Sequence, residues 1–158
     1  MRFSEAMEMQ ELEAGRLVAH FDRSWWVVNG PNGGVIAALM VRAAQHCLAE
    51  DRCVRTVTTH FVSAPKEGSV TIEVTVERQG KIAGFASLRM LQQDRLIATS
   101  LVAVAEVDQV PHQWEQRNFP KLPALEDCWM MKTPPPLVPL HSRWDRRWGL
   151  GVPGQPDT

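Results

Sequence analysis

The segment of residues 35–48, VIAALMVRAAQHCL, limits the choice of fold more than any other part of the sequence. Its apolar residues recur at helical spacing, and the first polar side chain after Asn32 is that of Arg42. A helix that is apolar on almost every side must be covered on almost every side. Since the run is shorter than the roughly 18 to 20 apolar residues of a membrane span, we expect a helix buried inside a folded domain.

Residues 69–81, SVTIEVTVERQGK, show the strict alternation of an antiparallel strand with one buried face. Val70, Ile72, Val74 and Val76 would share that face, because side chains alternate between the two faces of a strand. Shorter alternating or β-branched stretches predict further strands at residues 15–22, 24–28, 54–62, 85–93 and 95–107, with a turn around Asp94.

The predicted order is therefore strand, strand, buried helix and then a run of long antiparallel strands. A strongly curved sheet wrapped around the helix would cover it without a second helical layer. We predict an α+β protein with a single hot-dog domain, in which a curved antiparallel sheet surrounds one long central helix. The alternative, a helix lying on a flat open sheet, would tolerate more polar residues at positions 37–41 than are present.

The chain is long enough for one domain of ordinary size. With 158 residues, 44% of them hydrophobic, it can bury a real core, which we place at residues 1–107. Residues 108–158 hold nine of the eleven prolines and four of the six tryptophans. This segment is predicted to be a linker or tail, or else the start of a truncated second hot-dog domain.

Composition excludes several classes of partner. The formal charge of −1 provides no basic field for nucleic acid or for an acidic membrane surface. The acidic N-terminal segment lacks the form of a signal peptide, so we expect a cytoplasmic protein. Cys47, Cys53 and Cys128 are odd in number and have no C-x-x-C spacing, which argues against a disulfide framework or a zinc site. No metal is predicted.

Three pieces of sequence in series resemble one family. The pieces are NGPNGGVIAALMVRAA, TVTTHFVSAPKEGSVTIEVTVERQGK and LQQDRLIATS. Together they are similar to the acyl-CoA thioesterases of the thioesterase II type, whose chains contain two hot-dog domains, and they match the N-terminal one. The resemblance implies an acyl-CoA thioesterase-like protein that hydrolyses acyl-CoA to free acid and CoA. It implies no separate cofactor, because CoA is part of the substrate.

The same resemblance leaves the catalytic group unassigned. In the thioesterase II type, the Asp, Thr and Gln that activate water lie mostly in the C-terminal domain, so they correspond to no position here. Nothing acidic occurs between Asp22 and Glu50, and Asp22 itself is best explained as a turn residue. The alternative function is therefore a non-catalytic acyl-CoA binding or regulatory module of the same fold.

Gly33 and Gly34 are the candidate donors to a thioester carbonyl. Both stand at the start of the buried helix, where free backbone N–H groups and the positive end of the helix dipole coincide. Asn32 would cap the helix or contact the substrate. On the competing interpretation, the glycines and Pro31 only turn the chain from strand to helix, and Asn32 caps it.

Five further residues are weaker candidates, each with a structural alternative. His60 could be a general base, or a hydrogen-bonded histidine that shares a sheet face with Val54, Thr56, Thr58 and Val62. Gln92 could hold a water molecule by family analogy, or be an exposed residue beside a turn. The remaining three are assigned to substrate binding: Trp26 to the acyl chain or to packing beneath the tail, and Arg78 and Lys81 to the CoA phosphates or to a solvated hairpin end.

Association is expected because a single hot-dog sheet has an open edge. Relatives with two domains cover that edge within one chain. This chain would instead form a homodimer or a higher hot-dog assembly, or pair with a separate second-domain partner, with the acyl site at the junction of two units.

Overall fold

Six antiparallel strands form one sheet, and the longest helix packs against its inner face. The structure, a computed structural model, describes residues 2–48, 52–106, 120–130 and 138–151. Its helices and strands are α1 (Phe3–Ala6), β1 (Gln10–Glu13), β2 (Arg16–Phe21), α2 (Gly33–Leu48), β3 (Cys53–Phe61), β4 (Gly68–Gln79), β5 (Ala83–Gln92), β6 (Arg95–Ala105), β7 (Trp129–Met130) and β8 (Arg147–Trp148). Short 3₁₀ helices cover Arg23–Trp25, Leu125–Asp127 and Pro139–Arg143.

The strand order in the sheet is β1-β2-β4-β5-β6-β3, so β1 and β3 are its two edges. Helix α2 contacts β3, β4, β5 and β6, and its buried side chains meet those of the sheet in one apolar core. The predicted α+β hot-dog arrangement is confirmed, with the long helix at its centre. No helix in the described ranges is long and apolar enough to cross a bilayer.

Helix α2 is buried most deeply along one side. Leu39, Met40, Ala43, Ala44 and Leu48 are completely buried, as the 3.6-residue period requires for the core side of a helix. Ala37, Ala38 and Val41 are only half-buried, so the sheet leaves one flank of α2 partly open.

The predicted strand at residues 24–28 is wrong, because the chain turns there. The Asp22 carboxylate accepts a hydrogen bond from the Ser24 N–H at 3.0 Å, and the Trp25 N–H donates to Asp22 O at 3.1 Å. Asp22 is therefore the N-cap of the 3₁₀ helix of Arg23–Trp25. As a result Trp25 and Trp26 are both buried, at 5% and 3% exposure, instead of pointing to opposite faces.

A segment of the tail packs on this turn. Leu140 is buried, and its N–H donates to Trp26 O at 3.0 Å. The Arg143 guanidinium lies 5.6 Å from the centre of the Trp25 ring and 3.7 Å from the Asp22 carboxylate. The tail therefore covers the tryptophan pair. The predicted domain boundary at residues 107 and 108 lies outside the described residues, and the division into two segments stays a prediction.

Candidate active site at the N-terminus of helix α2

A cleft of about 550 Å³ opens where α2 begins. Residues 27–31 form one wall and residues 61–65 the other, while Gly33 and Ile36 of the first helical turn lie between them. Most of the lining is apolar, and the polar side chains among the described lining residues are those of Asn29 and Ser63. The cleft is thus a mostly apolar cavity at the positive end of a 16-residue helix.

The two glycines at this helix end differ in what their N–H groups can do. The Asn32 side chain accepts a hydrogen bond from the Gly34 N–H at 2.8 Å, and Asn32 O accepts from Val35 N at 3.0 Å. Asn32 is therefore the N-cap. The Gly33 N–H has no partner among the described residues, and Gly33 lines the cleft whereas Gly34 does not. Of the two predicted donors, Gly33 is the one that faces the cleft with its N–H free.

Gly33 is held in close contact with Phe61. A Cβ atom built at Gly33 would lie 3.1 Å from Phe61 Cζ, with both Cε atoms within 3.6 Å. The tip of the ring therefore points at the glycine. Any side chain at position 33 would displace that ring, which is a physical reason for glycine there.

The wall at residues 63–66 is fixed by side chains from the β5–β6 hairpin. The Lys66 N–H donates to Gln92 Oε1 at 2.7 Å, and Gln92 Nε2 donates back to Lys66 O at 2.9 Å. An Arg95 guanidinium N–H donates to Ala64 O, and the Ser63 hydroxyl donates to Leu96 O, each at 2.5 Å. Gln92 does not line the cleft; both ends of its amide already bind the wall.

His60 lies on the outer face of the sheet. It is paired with Thr99 of β6, whereas its neighbour Phe61 is paired with the buried Ala98 and faces α2. The structure therefore does not bring His60 to the cleft. The predicted face is also wrong at Val54, because a register shift between Val54 and Thr56 places these two side chains on opposite faces.

Trp26 does not line the cleft either. Its ring meets Phe21 edge-on at a centroid distance of 6.3 Å, and the Arg23 guanidinium lies 5.4 Å from the ring centre. The residue is buried in the core beneath the tail, which is the structural alternative to an acyl-binding role.

Arg78 and Lys81 lie at the other end of α2. The intervening Gln79 donates from Nε2 to Leu48 O, the carbonyl of the last helical residue, at 2.6 Å. Sixteen helical residues span about 24 Å, so this hairpin is separated from Gly33 by the length of the helix. Arg52 joins the hairpin there through a 3.1 Å hydrogen bond to Lys81 O.

The contacts of Asp22 are those of a residue that stabilises the local fold. The hydrogen bond from the Ser24 hydroxyl lowers the pKa of Asp22, and Arg143 lowers it further, while partial burial opposes them. The side chain is thus a charged cap of the turn before Trp26, as expected of a turn residue. It does not line the cleft.

Among the described lining residues, Gly33 alone was a candidate from the sequence, and the polar and aromatic lining side chains that sequence reasoning missed are those of Asn29, Phe61 and Ser63. Asn29 stands in the same NGPNGG turn as Asn32, and sequence cannot distinguish the asparagine that caps the helix from the one that faces the cleft. Phe61 and Ser63 come from a strand end some 30 residues further on. In the described part of the chain, no group of three or more His, Cys, Asp and Glu residues could hold a metal ion.

A second, larger hollow of about 780 Å³ lies beside the outer flank of α2. It is lined by the N-terminal segment and by Arg42, Gln45 and His46. His46 already pairs there with Glu11 at 2.9 Å. The cleft at Gly33 is the better candidate because it combines an unpaired backbone donor with an apolar channel.

Comparison with known proteins identifies the family of the chain. A family model described as acyl-CoA thioesterase N-terminal domain matches residues 22–106, which include the helix and both cleft walls. The search of curated proteins found no match.

Solved structures show the same fold. A protein from Thermobifida fusca described as a thioesterase II is 22% identical with a TM-score of 0.78, over 92% of this chain and 53% of that one. A hot-dog protein of Alicyclobacillus acidocaldarius is 20% identical with a TM-score of 0.78, over 88% and 52%. A tesB protein of Mycobacterium avium subspecies paratuberculosis is 22% identical with a TM-score of 0.67, over 78% and 48%. The chain spans about half the length of each.

Proposed function

Because the chain belongs to the family of acyl-CoA thioesterase N-terminal domains, we propose that it hydrolyses acyl-CoA thioesters, with the thioester carbonyl bound at the Gly33 N–H. The observation that carries this assignment is that Gly33, at the head of a buried helix, lines an apolar cleft and has an N–H with no partner among the described residues. Asn32 supports the geometry by capping Gly34, which leaves the Gly33 N–H as the free donor.

During hydrolysis, negative charge develops on the oxygen of the thioester carbonyl. Water attacks the carbonyl carbon, and the carbonyl oxygen becomes an oxyanion that accepts a hydrogen bond from the Gly33 N–H. The carbon–sulfur bond then breaks, and the proton taken from water ends on the CoA sulfur, so the products are free acid and CoA. A single oxyanion donor contributes about 10²- to 10³-fold to kcat, and the helix dipole acts in the same direction.

Water activation requires a group that this cleft does not itself contain. None of the described lining residues has an ionisable side chain, and Asn29 can orient a water molecule without deprotonating it. We assign the general base to a second hot-dog unit whose surface meets the open side of the cleft.

Strand β3 is the surface that we assign to this second unit, as a homodimer contact. It is an edge strand of nine residues and is exposed on most of both faces. Val57 and Phe61 are 43% and 57% exposed on its inner face, and one flank of α2, which contacts β3, is only half-buried. An exposed edge of this length is normally paired or covered.

The activity is tested by steady-state hydrolysis of acetyl-, hexanoyl- and decanoyl-CoA, monitored through the free thiol of the CoA that is released. We expect turnover of at least one of them. Tight binding of acyl-CoA without release of CoA would contradict hydrolysis and favour the binding module. The second unit is tested by measuring molecular mass by light scattering and specific activity across the same dilution series. Specific activity should fall as the dimer dissociates, and a fully active monomer would exclude the shared site.

A further inference from the structure

We propose that Phe61 determines which acyl groups reach Gly33, by forming the wall against which the first carbons of the acyl chain must lie. This assignment presupposes the thioesterase function proposed above. It concerns the specificity of the site and assigns Phe61 no part in bond breaking.

The contact between Phe61 and Gly33 places the ring next to the reacting carbonyl. The ring tip lies 3.1 Å from the position that a Cβ of Gly33 would take, and Val27 and Val28 line the same cleft. A carbonyl oxygen on the Gly33 N–H therefore brings the adjacent acyl carbon close to the ring. Ile36, one turn further along α2, marks the direction in which the chain continues.

The backbone of Phe61 is fixed, and its side chain contributes little to the core. Phe61 is paired with Ala98 in the sheet, and the next two N–H groups, of Val62 and Ser63, both donate to Ile97 O at 2.8 and 3.1 Å. Because Phe61 is 57% exposed, truncating its side chain removes little from the core. A straight acyl chain can lie along such a ring, whereas a branch or an aryl group at the first carbon must displace it.

The test compares Phe61→Ala with Phe85→Ala. Phe85 is also partly exposed, at 46%, in the same sheet, but it is paired with Ala103 on the outer face and is absent from the cleft. Values of kcat/KM are measured for hexanoyl-, isobutyryl- and benzoyl-CoA. We expect Phe61→Ala to raise the ratio of isobutyryl or benzoyl to hexanoyl turnover by about tenfold or more, the range that one or two buried carbons confer on an apolar pocket.

Phe85→Ala should leave that ratio unchanged. The same ratio in wild type and Phe61→Ala, or an equal change in both alanine variants, would overturn the assignment. The Gly33→Ala variant provides a second measurement. It should lower hexanoyl-CoA turnover by a larger factor in the wild-type background than in the Phe61→Ala background, because the added Cβ would lie 3.1 Å from the ring of Phe61, which the second background lacks.

Binding separates failure of this assignment from failure of the proposed function. The probes are S-(2-oxoalkyl)-CoA thioethers with straight, branched and aryl groups, which keep the carbonyl but have no thioester bond to break. If the wild type hydrolyses nothing yet binds these probes, a changed selectivity in Phe61→Ala still supports the role of Phe61, and an unchanged selectivity overturns it. If the wild type binds none of them, both assignments fall.

Discussion

Replacing Gln92 by Ala distinguishes a clamp on the cleft wall from a catalytic water holder. The substitution removes two hydrogen bonds of good length to the Lys66 backbone, at 2.7 and 2.9 Å, and a longer one of 3.4 Å to Ser69 O. At a net value of about 1 kcal/mol for each of the two good bonds, unfolding free energy should fall by about 2 kcal/mol. For a chain of this size, that corresponds to a decrease in Tm of about 4 to 8 °C.

The kinetic consequence follows from the position of the clamped segment. Ser63, Ala64 and Pro65 line the cleft next to the Lys66 anchor, so loss of the clamp should loosen substrate binding. We expect KM to rise while kcat stays within a few-fold. A residue that takes part in proton transfer would instead lower kcat by about 10²- to 10⁴-fold. Thermal melts and acyl-CoA kinetics on the same preparations provide both quantities.

Two matched variants complete the experiment. Gln92→Glu keeps an acceptor for the Lys66 N–H but replaces the donor to Lys66 O by a carboxylate oxygen, so it should destabilise at least as much as Ala. Gln93→Asn is the control, because Gln93 has a positive φ of 51°, which Asn tolerates, and has no side-chain partner in the described structure. An unchanged Tm with a hundredfold loss of kcat, roughly the smallest acid–base effect, would refute the clamp.

Three further predictions concern residues outside the cleft wall. His60→Gln should leave kcat/KM unchanged, since His60 faces away from α2; a hundredfold loss in the same assay, about the low end of general-base effects, would contradict its placement. The hydrogen bond from Ser24 holds the pKa of Asp22 below its ordinary 3.8, so the carboxylate stabilises the fold above that pH, and this stabilisation is lost as pH falls through the lowered pKa. In Asp22→Asn, the free energy of unfolding measured with denaturant should therefore fall less steeply with decreasing pH than in the wild type. Burial raises the pKa of the Cys47 thiol, so iodoacetamide should alkylate it more slowly than the exposed Cys53, as peptide mass spectrometry would show; the reverse order would place Cys47 at the surface.

The long elements could be predicted because each carries its own periodic signal. Helix α2 was predicted with Gly33 and Gly34 at its start and begins at Gly33, and its fully buried residues are those of the helical pattern. In β4, the alternation predicts burial of Val70 and Ile72, whereas Val76 on the same face is 40% exposed. The alternation in β4 gives the face of Val76 but not its depth, because Val76 borders an open hollow beside Cys47.

The tryptophan pair shows where periodicity fails. Adjacent aromatic residues suggested a strand, but one carboxylate, that of Asp22, caps the chain into a 3₁₀ helix. Part of the cover over both rings comes from Leu140 and Arg143, more than 110 residues away. No local pattern contains that contact. The single-residue shift between Val54 and Thr56 in β3 is equally invisible, since it changes the face without changing the composition.

The candidate site combines both kinds of information. That an unpaired backbone donor lies near Gly33 follows from local chemistry, because the first turn of any helix has N–H groups without helical partners. Which glycine supplies it depends on where Asn32 directs its side chain, and what surrounds it depends on Phe61, brought there by the strand order β6-β3. The same order makes β3 an edge of the sheet in the described part of the chain. The second unit that we propose along β3 would pair this edge and bring the general base to the N–H that we assign to the oxyanion.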